Sequence, residues 1–136
     1  MWVPRPSVGT MSEDAWTVDD HLRDQPATSV ALFARFVELV AACGPYTVSV
    51  SKSAITFKGT RRGFAGARPD ARGLKGYLDL QRRVEDPRFG SAAPYESRLF
   101  VHHYRVRELA DLDATFAGWV REAYAVGRGD HLTRPR

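Results

Sequence analysis

Apolar residues recur at helical spacing in some stretches of the chain and alternate in others, and the change of period predicts the elements. Val30, Phe33, Phe36, Val37 and Val40 fall on one helical stripe. That helix opens after Pro26, with Thr28 or Ser29 expected as its cap, and stops at Gly44-Pro45. Tyr46, Val48 and Val50 then alternate with Thr47, Ser49 and Ser51, the pattern of a half-buried strand. Ala54 to Lys58 reads as a second strand, joined by a tight turn at Ser51 to Ser53. The Gly59-Thr60-Arg61-Arg62-Gly63 loop leads to a short third strand around Phe64 to Ala67. Pro69 to Gly73 is a turn, because proline presets φ and glycine tolerates positive φ. Leu74 to Leu80 makes a fourth strand, with Leu74, Gly76, Leu78 and Leu80 inward and Lys75, Tyr77 and Asp79 outward. Residues 84 to 96, rich in Pro, Gly and Ser, read as an irregular connection before a central fifth strand, Arg98 to Arg105, which is apolar on both sides.

Helices bracket these strands. Thr17 can cap a short helix through His21 and Leu22, with Asp19 and Asp20 in its first turn. A last helix starts near Asp111, places Leu112, Phe116, Trp119, Val120 and Ala123 on one face, and stops at Gly127. The order predicts an α+β fold: a two-layer domain over residues 15–127, with an antiparallel sheet of about five strands and the N-terminal and C-terminal helices on one face. Residues 1–14 and 128–136 read as tails, and Met11 is an alternative start.

Composition narrows the classes. A chain of 136 residues with 43% hydrophobic and 26% charged residues suits one globular domain. No apolar run is long enough to cross a bilayer, and the first residues lack the pattern of a secretory signal. A lone cysteine, Cys43, fits a reducing, cytoplasmic setting. Phosphate-loop, dinucleotide, serine-hydrolase and zinc motifs do not occur, so neither a cofactor nor a metal is expected. The net charge of +4 is unevenly spread, with nine basic residues against two acidic ones between 50 and 83. A stretch of that kind presents an anion-binding face or simply a solvated basic surface.

The uncovered face of the sheet gathers the candidate chemistry. Thr47, Ser49, Thr56, Lys58, Lys75 and Tyr77 are expected there, joined by Arg98, Phe100, His102 and Tyr104 from one side of the fifth strand. A slip of one residue would exchange His102 for His103, and the two cannot both line one site on a regular strand. With Arg61 and Arg62 from the glycine-flanked loop, the expected binding set is Lys58, Arg61, Arg62, Lys75, Tyr77, Arg98, His102, His103 and Tyr104. Arginine offers bidentate contact to phosphate or carboxylate and the rings offer stacking, so the expected ligand is an anionic or aromatic small molecule or nucleotide. Polymeric nucleic acid is less favoured. Two alternatives use the same residues: an enzyme with His102 or His103 as general base beside Tyr77 or Tyr104, and an interaction module whose aromatic face forms a homodimer or partner interface.

Several stretches carry a resemblance. They are residues 55–69 (Ile55 to Pro69), Gly76-Tyr77-Leu78-Asp79-Leu80, residues 98–105 (Arg98 to Arg105), residues 116–124 (Phe116 to Tyr124), and the Trp16 to Leu22 opening. Together they resemble a bacterial family, domain of unknown function 5655, over about residues 16 to 127. The resemblance implies fold and domain extent and brings no activity with it. More distantly, the helix, antiparallel sheet, helix order looks like the frataxin-type fold. Metal handling in that fold relies on acidic surfaces, and the middle of this chain is basic, so that role is not carried over.

Overall fold

A computed structural model describes residues 16–96 and 99–130; both expected tails fall wholly or partly outside them, as does Arg98. The elements run α1 (Val18–Leu22), α2 (Ala27–Ala41), β1 (Thr47–Val50), β2 (Ile55–Lys58), β3 (Gly63–Asp70), β4 (Gly73–Leu80), β5 (Phe89–Glu96), β6 (Leu99–Val106), a 3-10 turn (Leu109–Asp111) and α3 (Ala114–Gly127). The strands form one antiparallel sheet in the order β1-β2-β3-β4-β6-β5. The fold is therefore α+β, and both long helices pack over β3 and β4 on one side.

The sheet has six strands where about five were expected, because Phe89–Glu96 is a strand and not an irregular connection. It pairs only with β6, so Pro94 stands at a sheet edge, where a missing N–H breaks no ladder. β3 also extends past the expected stop at Ala67 and carries Pro69. That proline lies beyond the last β2 partner, Gly66, so its flank facing β2 has no bond to lose. Gly73 takes φ +132 at the hairpin that follows, a conformation only glycine adopts without strain.

The caps differ from expectation in two helices. Thr17 caps α1 reciprocally with Asp20, as its sequence predicts. Helix α2 opens at Pro26 without a side-chain cap, since the Ser29 hydroxyl is drawn away to donate to the Asp70 carbonyl at 2.6 Å. Asp113, not Asp111, caps α3 by accepting from the Phe116 N–H at 3.0 Å. Asp111 instead accepts from the Arg107 and Glu108 amides and closes the preceding 3-10 turn.

The core lies between helices and sheet. Phe36 of α2 sits at its centre, 5.4 Å from Phe57, 5.8 Å from Tyr104 and 6.2 Å from Phe116 between ring centroids. Burial of each such ring contributes about 1.5–3 kcal/mol, which is what holds the helices on this face. Val18 of α1 joins the same core, and the His21 Nε2–H donates to the Ser51 carbonyl at 2.7 Å, tying α1 to the β1–β2 turn.

Candidate functional site

Cross-strand register decides which side chains share the face away from the helices. Leu78 pairs with Ala65 on one side and His102 on the other, and all three are buried beneath α2 and α3. The alternate residues project to the opposite face. One row there runs Arg68, Lys75, Arg105 across β3, β4 and β6; the next runs Thr56, Gly66, Tyr77, His103 from β2 to β6. The two rows are two residues apart along each strand, about 7 Å.

Three cations in direct cross-strand register repel one another, at a cost of about 0.2–1 kcal/mol per opposed pair. Two of them are engaged by the protein. Arg105 holds Asp70 through two hydrogen bonds of 2.6 and 2.8 Å, and this guanidinium lowers the Asp70 carboxyl to about 2. Arg68 donates one Nη1–H to the Ser53 carbonyl at 2.7 Å. Lys75 stands exposed between them and makes no ion pair among the described residues.

Beside this row lies a cavity of about 310 Å³ whose walls include Ser53 to Ile55, Arg68, Lys75, Tyr77 and His103. Its shape depends on two glycines. A Cβ on Gly66 would lie 2.6 Å from the Tyr77 ring, so that ring rests directly over the bare Cα. A Cβ on Gly76 would strike the Gly66 carbonyl oxygen and come within 2.7 Å of the Tyr104 hydroxyl. Tyr104 reaches beneath the sheet through that space and donates to the Gly66 carbonyl at 2.8 Å. Burial, with Tyr77 nearby, raises its hydroxyl well above the usual tyrosine range.

The expected site residues separate into groups. Lys75, Tyr77 and His103 come together at the cavity, with Tyr104 at its floor from the covered side. The expected facing of β6 is corrected: Val101, His103 and Arg105 occupy the open side, and Phe100, His102 and Tyr104 the covered one. His102 is fully buried, its Nε2 accepting from the Val84 N–H at 2.9 Å and its Nδ1–H donating to the Phe100 carbonyl at 3.1 Å. With both ring nitrogens committed the imidazole is neutral, and burial first, then Arg83 and Arg82, lowers its pKa.

The backbone of the loop serves α3. The Arg61 and Arg62 amides both donate to the Gly127 carbonyl, at 2.9 and 3.2 Å, satisfying a helix-end acceptor. The Arg62 side chain turns to the Gly63 carbonyl and to buried Asp79, 3.5 Å away. Lys58 is exposed at the end of β2, opposite Thr47, and takes no part in the cavity wall. Arg98 lies outside the described residues.

Sequence reasoning missed Arg68, Asp70 and Arg105. Their signal is the alternation Gly66, Arg68, Asp70, which a third strand stopping at Ala67 leaves out. Among the described residues no group of three His, Cys, Asp or Glu side chains could hold a metal ion. No described helix is long and apolar enough to cross a membrane.

No curated protein and no solved structure matches the chain. A family model does, that of the Domain of unknown function (DUF5655), over residues 18–127, which takes in all three α-helices and every strand of the sheet. The chain belongs to the DUF5655 family.

Proposed function

We propose that this chain binds a small anionic molecule in the cavity on the open face of its sheet. One observation carries the reading: Arg68, Lys75 and Arg105 stand in cross-strand register with Asp70 as the carboxylate bonded into that row, and Lys75 faces solvent between two engaged cations. An anion at Lys75 would relieve the repulsion within the row and gain a charge-assisted contact. The lining residues surround an open hollow of about 310 Å³, the low end of ligand-pocket sizes and room for a small molecule. His103 is exposed and makes no hydrogen bond to another side chain among the described residues, so the general-base reading lacks a partner that would orient it.

A thermal-shift panel of inorganic phosphate, sugar phosphates, mononucleotides and small carboxylates at low ionic strength tests this. At ten times its Kd, a true ligand raises Tm by about 5 °C. Lys75→Gln should reduce the shift to less than half while leaving the unliganded Tm unchanged or slightly higher. A shift equally large in the variant, or none with any anion, would remove the proposal.

A further inference from the structure

We infer that the ligand of this site is a phosphate monoester joined through a sugar-sized spacer to a flat ring, the chemistry of a mononucleotide. The inference rests on the anion-binding reading above and adds what the second row of the open face contributes.

The two ends of the site differ in chemistry. In the cationic row the ammonium of Lys75 is exposed, and the guanidinium of Arg68 beside it uses one Nη1–H on Ser53. Two positive groups flanking one point suit an anion that can carry two charges, as a phosphate monoester does and a simple carboxylate does not. The neighbouring row offers the Tyr77 ring, laid over Gly66, with the His103 imidazole directly across on β6. Rings presented on an open sheet stack flat, unsaturated groups without demanding a particular base.

Strand geometry sets the spacing of the two anchor points. Lys75 and Tyr77 are two residues apart on the same face of β4, about 7 Å. A phosphate separated from its ring by a furanose spans that length, and the cavity of about 310 Å³ admits one such unit. The walls between the ends are the backbone of Gly66, Ala67 and Gly76 and the small side chain of Ala54, which leave room for a spacer and offer it no side-chain hydrogen bond.

The test is a calorimetric titration of the full chain with inorganic phosphate, ribose 5-phosphate, uridine and uridine monophosphate. Uridine monophosphate should bind at least about tenfold more tightly than ribose 5-phosphate, the increment expected from one stacked base. Tyr77→Phe should keep that increment, and Tyr77→Leu should remove it without changing the affinity for ribose 5-phosphate. Lys75→Gln should weaken both phosphates alike. Circular dichroism of each variant verifies folding, and the two Tyr77 variants check each other. Equal affinities for uridine monophosphate and ribose 5-phosphate would overturn the ring assignment and leave the anion site standing. Binding by none of the phosphates would overturn both.

Discussion

A methyl group added at Gly76 has nowhere to go: it would meet the Gly66 carbonyl of the neighbouring strand and the hydroxyl of Tyr104. The obstacle is backbone, so Gly76→Ala should lower stability by several kcal/mol or prevent folding, read from the denaturation midpoint. At Gly66 the obstacle is the Tyr77 ring 2.6 Å away, which can rotate. Gly66→Ala should therefore fold and displace that ring, visible as a changed Tyr77 environment by NMR. His102 gives a prediction in pH. Its folded pKa is depressed below the ordinary 6.5, so protonation favours the unfolded chain. The stability it supplies is complete above about 6.5 and is lost as pH falls below that value toward the folded pKa. His102→Ala should flatten this slope in denaturation curves between pH 8 and 5, and lower stability by about 2–4 kcal/mol through the cavity and the orphaned Val84 N–H. Asp70 has the carboxylate sign: its contribution is present above the ordinary 3.8 and lost as pH falls toward about 2. The pair is partly exposed, so its contribution is at most about 1 kcal/mol.

Helix α3 is held at both ends by polar contacts from elsewhere in the chain. Asp113 caps its first turn and also accepts from Arg88, whose guanidinium lies 4.8 Å from the Trp119 ring centroid. At the other end the β2–β3 loop donates to Gly127. Asp113→Ala should cost about 1 kcal/mol, measured by chemical denaturation. Much of this level could be read in advance. The stripe of α2, the alternation of β1 and of β4 as far as Leu78, the Thr17 cap and the Gly127 stop all follow from local pattern, because each depends on near neighbours, whereas Asp79, expected outward, is buried beside Arg62. β5 could not be read, since its Gly, Ser, Ala and Pro content lacks a strand signal and its existence depends on pairing with β6. The facing of β6 was hidden for a related reason. Leu99 and Val101 alternate with Phe100 and Tyr104, so hydrophobicity does not choose a side, and two polar residues went to the core because Val84 and Gly66 satisfy them there. Those partners are 18 and 38 residues away in sequence.

At the scale of the molecule, a helix-covered face and an open face divide the work. Packing of Phe36, Phe57, Phe64 and Phe116 fixes the sheet, and the sheet then sets the spacing of the opposite side chains. Of the basic residues between 50 and 83, Arg61 and Arg62 hold the end of α3 through their backbone amides, and Arg68 and Lys75 project on the open face. Arg61→Gln should therefore leave anion affinity within about twofold of the parent, where Lys75→Gln reduces it several-fold. The most direct test follows the amide resonances of the isotopically labelled chain as a phosphate monoester is added. The account predicts saturable shifts confined to Ser53, Ala54, Gly66, Arg68, Lys75 to Tyr77 and His103. Shifts centred instead on the Gly59 to Gly63 loop, or an unchanged spectrum at millimolar ligand, would contradict it.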